Sequence, residues 1–304
     1  MLAQYSDWLF IAAVVVYVLA MVLHAYAQAT LRTGAAVLVG AADTAPPESA
    51  SADAAPGRAD RFAGMGGSLA VLGALLHVAS IAARGLATGR WPIGNMYEFI
   101  SMVTFAAVVT WLVMLRRTPG ARAAAPWVLL LVVVLMTIAG TAIYTPAGPV
   151  MPALKSYWLP VHVTAIAVSS GLLLVSGMAS LLFLLRSWNR VPAALAERLP
   201  AADLLDRVAY RIMIVAFPLY TFAVVAGAVW AESAWGRFWG WDPKEIVAFV
   251  AWVIYAAYLH ARATAGWRTG RAAWVNVAGF ATMIFNLFFI NLVVAGLHSY
   301  AGVG

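Results

Sequence analysis

Apolar residues in this chain neither alternate nor keep to one narrow helical stripe; they run in long blocks. Eight blocks can be marked, at roughly 8–30, 62–83, 96–115, 126–145, 160–185, 211–231, 245–261 and 272–297. Most are near the ~20 residues that an α-helix needs to cross a bilayer core. A transmembrane barrel is excluded, because its strands alternate polarity over segments of about ten residues. Backbone groups in lipid must be satisfied within the segment, which leaves helices. The pattern therefore predicts an all-α integral membrane protein with about eight transmembrane helices.

Composition agrees. Of 304 residues 64% are hydrophobic and 10% are charged, against about 25% charged in a typical soluble domain. The net charge of +7 would suit a nucleic-acid binder, but the cations sit at block boundaries. Alternate loops hold fourteen arginines, from Arg32 to Arg271, while the opposite loops hold only Arg84, Arg90, Lys155, Arg237 and Lys244. The positive-inside rule puts the arginine-rich set in the cytoplasm and both termini outside. Nucleic acid is thus not an expected partner. The N-terminus lacks a basic n-region, so the first block reads as a retained helix. Residues 33–60, rich in Ala, Pro, Ser and Asp, read as a disordered cytoplasmic loop. The chain then divides into residues 1–60, a first helix plus that loop, and 61–304, a seven-helix core with an outer aromatic loop at 230–245. Cysteine is absent, so any thiol chemistry must come from another molecule.

The aromatic loop is the most informative stretch. Trp235, Phe238, Trp239 and Trp241 fall within seven residues, interleaved with Gly236 and Gly240. An interfacial aromatic belt is one reading. The other is a surface for a large, flat, apolar ligand such as a porphyrin: indoles stack on it, and glycines allow close approach. Asp242, Pro243 and Glu245 fit a helix start with a capping box. For both carboxylates that structural role competes with direct contact to a haem propionate or substrate.

Five histidines lie on five different blocks: His24, His77, His162, His260 and His298. Histidines inside a membrane span are costly and tend to be functional or paired. His162 begins the fifth block and His298 ends the eighth, both level with the aromatic loop. They suit a bis-histidine haem site and equally suit residues that snorkel at the interface. His77 sits in the outer half of its block, packed internally or lining a ligand path.

WGRFWGWDPKE, residues 235–245, resembles the tryptophan-rich "WWD" signature of haem-handling proteins in cytochrome c maturation. More narrowly, the chain resembles the CcsA (ResC) family of the system II cytochrome c synthetase. Leu154–His162 resembles the segment carrying the first external haem histidine, Gly296–Tyr300 that carrying the second, and Pro92–Glu98 a loop preceding a helix. Asn95 and Glu98 of that loop also fit a plain capping box. The likeness covers roughly residues 62–304. It implies that haem b is held at the outer face by His162 and His298 with the tryptophan loop, and by His260 at a second, intramembrane haem. It implies thioether attachment to the CxxCH motif of apocytochrome c, the chain forming part of a haem lyase. It also implies a CcsB (ResB)-like membrane partner, a thioredoxin-like reductant acting on the apocytochrome, and residence in the cytoplasmic (inner) membrane with an extracytoplasmic active face. A CcmC-like haem delivery protein and a membrane haem exporter are the alternative readings. The family's partner subunit commonly donates the ligand opposite His260. Within this chain His24, about 24 Å below the outer edge of its helix, is level with His260, about 22 Å below its own, and so is the candidate for an internal pair.

Overall fold

The computed structural model describes residues 1–41, 57–150, 156–188, 192, 196–264, 267 and 270–298, with 31–41 described for their backbone alone. Most of the expected Pro- and Ala-rich loop (42–56), together with Lys155, lies outside the described residues. Among those residues, eight helices are long and apolar enough to cross a membrane. They are built on α1 (Leu2–Ala41), α2 (Arg58–Thr88), α3 (Met96–Arg117), α4 (Ala125–Thr141), α5 (Trp158–Ser187), α6 (Ala202–Trp235), α7 (Pro243–Ala263) and α8 (Gly270–Phe285), the fourth and eighth spans including the short helical turns that adjoin α4 and α8. A 3-10 turn (Pro119–Ala124) precedes α4, and a π-helical turn (Asn286–Ile290) extends α8.

Several boundaries depart from the apolar blocks, and around the aromatic run caps set them. Backbone helix in α1 continues to Ala41, into residues expected as loop. α6 reaches Trp235, where Gly236 closes it in the left-handed region at φ 71°, the conformation a helix C-cap favours in glycine. The aromatic "loop" is therefore partly helix, and only residues 236–242 connect α6 to α7. At the far end, the π-helical turn stops at Ile290, residues 291–292 continue the helix, and the chain then leaves in turns through Gly296 to His298. His298 is thus not on the eighth helix but on the segment that folds back beyond it.

α5 is the central helix. It packs on α3, α6 and α8, while α1 lies along α2 and touches α4, and α7 packs on α6 and α8. Polar side chains join α5 to α8: buried Asn276 donates to Ser176 Oγ (3.0 Å) and Ser180 Oγ (2.8 Å). In lipid, where apolar burial between helices gains little, such bonds help specify which helices meet. Ile11, Val15, Leu19 and Val22 of α1 are exposed, at the spacing of one helix face, as a lipid-facing surface requires.

At the tryptophan-rich end a buried ion network shapes the loop before α3. Glu98 accepts from Arg84 Nε (2.9 Å) and Arg90 Nη1 (2.8 Å), and from the Gly94 backbone N–H (2.7 Å). Asn95 caps α3, its Oδ1 accepting from Glu98 N (2.9 Å). Half of the expected capping box is therefore present. Glu98 does not reach back to Asn95 because two guanidiniums and Gly94 take its oxygens. The network presses Ile93 against Leu159 and Trp230.

Candidate functional site: an aromatic cleft with two imidazoles

A large cleft opens between α3, α5, α6, α7 and the end of α8. Counted out to its open mouth, and so including solvent space there, it measures about 1370 Å³. Its lining includes His162, Trp230, Trp235, Trp239, Lys244 and His298.

His162 projects from the first turns of α5. Its Nδ1 lies 2.8 Å from the carbonyl oxygen of Ala223. A carbonyl can only accept, so Nδ1 carries the proton and Nε2 keeps the lone pair. The approach is possible because residue 227 is glycine: a Cβ there would lie 2.7 Å from His162 Cε1. Trp230, only 1% exposed, lies parallel to the His162 ring, with 6° between planes and 5.9 Å between centroids.

His298 is set by a different acceptor. Asp242 caps α7 in the expected capping box, and Glu245 Oε2 accepts from the backbone N–H groups of Asp242 (3.0 Å) and Gly240 (2.9 Å). The buried Asp242 carboxylate also reaches across to the chain's end. Oδ1 accepts from Leu297 N (2.7 Å) and Oδ2 from His298 Nδ1 (2.8 Å). Burial alone would raise the Asp242 carboxyl, but the hydrogen bonds from His298 and Leu297 outweigh it and hold it below the usual carboxylate range. Burial pulls the His298 imidazole below its ordinary value, against the opposing effect of Asp242. The two shifts agree on one state: a neutral imidazole donating Nδ1–H to a carboxylate, with its lone pair on Nε2. That carboxylate–imidazole pairing is the arrangement that orients histidine ligands to metals. Gly296 permits it, since a Cβ there would lie 2.7 Å from Asp242 Oδ1.

The aromatic residues divide into groups. Trp230 and Trp235 meet edge-on at 4.8 Å, and Trp235 lies 5.0 Å from the His298 ring. Trp239 lines the cleft, whereas Trp241 is 64% exposed, outside the lining, with its ring 5.8 Å from Trp239. Trp241 also holds φ 55°, a strained conformation for a bulky residue. Gly236 and Gly240, expected to admit a flat ligand, do other work. Gly236 ends α6, and the space beside Gly240 is filled by the Arg237 side chain. The close approaches occur instead at Gly227 and Gly296.

The remaining histidines are not in the cleft. His77 is fully buried, with Nε2 3.0 Å from Ser101 Oγ and the rings of Phe10 and Phe105 around it. This is the internal packing role. His24 is buried against Gly66 of α2, whereas His260 is exposed near the far end of α7. α1 packs on α2 and α4, and α7 on α6 and α8, so the fold does not bring His24 to His260.

Sequence reasoning missed Trp230, Gly227, Lys244 and Asn291 as site residues. Trp230 stands in the aromatic run, five residues before Trp235, but only its burial against His162 separates it from a belt residue. Nothing in the sequence links Gly227 on α6 to His162 on α5.

Comparison with known proteins settles the family. The family described as Cytochrome C assembly protein matches residues 93–298, which run from the loop before α3 to His298. The chain belongs to the CcsA family of cytochrome c biogenesis proteins. "Cytochrome c biogenesis protein CcsA" of Synechococcus sp. (strain CC9605) is 36% identical over 270 residues, covering 78% of this chain and 87% of the relative. The protein of that name from Synechococcus sp. (strain RCC307) is 36% identical over 264 residues (76% and 83%). That of Prochlorococcus marinus (strain MIT 9303) is 34% identical over 262 (76% and 82%). Membership gives this multi-pass membrane protein a role in cytochrome c biogenesis, a process that handles haem and acts on apocytochrome c.

Proposed function

We propose that the cleft holds haem b between His162 and His298 and presents it for attachment to the CxxCH cysteines of apocytochrome c. One observation carries this reading. Two imidazoles from distant parts of the chain line one aromatic cleft, and each has its Nδ1 proton engaged by a protein acceptor, Ala223 O or Asp242. With Nδ1 carrying the proton, Nε2 is the ring nitrogen through which each imidazole would hold a haem iron. Trp230, Trp235 and Trp239 supply the apolar wall a macrocycle needs.

When bound, haem supplies the vinyl groups across which the substrate's S–H bonds add, sulfur to one carbon and hydrogen to the other, with no net oxidation. The chain's own residues contribute no nucleophile, in keeping with the absence of cysteine. They orient the ring and exclude water from it. In this sense the protein acts as part of a haem lyase. The cleft faces the extracytoplasmic side of the inner membrane, as the arginine distribution implies, where a thioredoxin-like protein keeps the apocytochrome thiols reduced.

His260 lies outside the cleft, exposed on α7. We assign it to a second haem within the membrane, with the opposite ligand supplied by a CcsB (ResB)-like partner.

The test is spectroscopic. Protein purified from haem-replete cells is expected to carry non-covalent haem with a low-spin, six-coordinate spectrum. His162→Ala and His298→Ala are each expected to lose that signature and to regain it with added imidazole. A wild-type preparation without a Soret band would overturn the proposal.

A further inference from the structure

A cleft this apolar has one feature that apolar packing does not explain. Lys244, in the first turn of α7, extends its ammonium along the cleft wall and donates to Asn291 Oδ1. Asn291 is held in turn by the π-helical turn: its Nδ2 donates to the carbonyls of Asn286 (2.8 Å) and Leu287 (2.9 Å). An α-helix would place residue 291 differently around its axis, so the extra residue per turn is what aims Asn291 at Lys244. Beside them, the Asn286 side-chain oxygen is buried without a hydrogen-bond partner, and Asn286 also lines the cleft.

Charge is the telling point. Two carboxylates stand close in sequence, Asp242 and Glu245, and both are otherwise engaged. Asp242 accepts from His298, Leu297 and the Lys244 backbone N–H, and Glu245 accepts from Gly240 and Asp242. No carboxylate among the described residues lies within ion-pair distance of the Lys244 ammonium. Asp242 acts on the Lys244 ammonium only from beyond contact, and a half-buried cation with no anion in contact in a low-dielectric cleft is costly. A ligand that brings a carboxylate removes that cost.

The geometry points to Lys244, steadied by Asn291, as the anchor for a haem propionate carboxylate. The inference rests on the haem reading of the cleft and deepens it. Propionates and vinyls occupy different edges of the porphyrin. Fixing one edge at Lys244 therefore determines which edge the incoming cysteines meet. Lys244 would then set an orientation that His162 and His298 would leave open, since holding the iron does not distinguish one porphyrin edge from another.

The experiment compares haemin with haemin dimethyl ester, whose propionates carry no charge. Both are titrated into the full-length apoprotein in detergent and read by the Soret band. Wild type is expected to bind haemin at least about tenfold more tightly than the ester, the scale of one ion pair in a partly dry site. Lys244→Met, of similar length and without charge, is expected to bind the two alike, with its ester affinity close to wild type. Lys244→Arg is expected to keep the preference. If wild type binds both ligands equally well, or if Lys244→Met keeps the full preference, the anchor is wrong while the haem cleft stands. If wild type binds neither ligand, the cleft reading itself fails and takes the anchor with it. The wild-type comparison decides the matter even where a variant folds poorly.

Discussion

At the scale of single residues, the site is built from hydrogen bonds that decide proton positions. His162 and His298 matter less for being histidines than for what stands behind them: a carbonyl oxygen in one case and a capping carboxylate in the other. Asp242 was read from the sequence as an N-cap or a haem contact. It is the N-cap, and its carboxylate also accepts from the His298 Nδ1–H and the Leu297 N–H. Asp242→Ala leaves the His298 Nδ1–H and the Leu297 N–H without an acceptor, at a cost of about 1–3 kcal/mol for such a loss. We expect weakened haem retention in that variant, measured by Soret absorbance after purification, with Asp242→Asn intermediate because its oxygen still accepts. Retention equal to wild type in Asp242→Ala would remove the carboxylate from the site's design. Gly227 gives a second residue-scale prediction. The methyl of Gly227→Ala would sit 2.7 Å from the His162 ring, forcing the imidazole away from Ala223 O. The six-coordinate spectrum is expected to weaken while the protein still inserts and purifies as an intact membrane protein. An unchanged spectrum would mean that the ring tolerates displacement.

At the scale of elements, the segment from Trp235 to Glu245 is a short connection between two helices, with different tasks along its length. The C-cap at Gly236 and the capping box at Asp242 leave a connection so short that its aromatic rings point in different directions. Trp239 turns into the cleft and Trp241 turns out. A sequence pattern of four aromatics in seven residues cannot make that distinction, and both tryptophans were expected to face the ligand. Trp239→Ala is therefore expected to lower haem occupancy, with Trp241→Ala close to wild type. Trp241 also pays about 1–2 kcal/mol for its left-handed backbone. Trp241→Gly relieves that strain, so its thermal stability is expected to match or exceed wild type while haem stays bound. Any fall in cytochrome c yield in that variant then reports on the exposed ring itself. Loss of haem from the Trp241 variants, with Trp239→Ala unaffected, would reverse the assignment.

At the scale of the whole molecule, the bundle separates its two ends and its two sides. The aromatic cleft lies at one end, between α5 and the α6–α8 group, with the α3 loop closing it. His260 sits near the other end of α7, on a helix that shares no substantial packing with α1. Equal depth made His24 a candidate partner for His260. Depth is one coordinate, and lateral position is decided by which helices pack together. The two substitutions are therefore expected to differ: His24→Ala matures cytochrome c normally, and His260→Ala does not. Co-expression with a c-type apocytochrome, followed by haem staining of the product, reads both. Identical defects in the two variants, both restored by imidazole, would reinstate the internal pair.

What the sequence determined alone follows from local rules. Spans are legible because lipid demands about 20 apolar residues and an internally bonded backbone. The α7 start is legible because Asp-Pro-Lys-Glu satisfies its own orphaned N–H groups within four residues. His162 and His298 could be singled out as candidates, since few histidines stand at the end of an apolar block on the side of the aromatic run. What only the tertiary structure decided are relations between residues far apart in the chain. Ala223 stands behind His162 across two helices, Asp242 behind His298 across 56 residues of chain, and Asn291 beside Lys244 by virtue of one π-helical turn. No periodicity encodes those distances. They come from how α5, α6, α7 and α8 pack, and packing is a property of all the faces at once rather than of any one stretch.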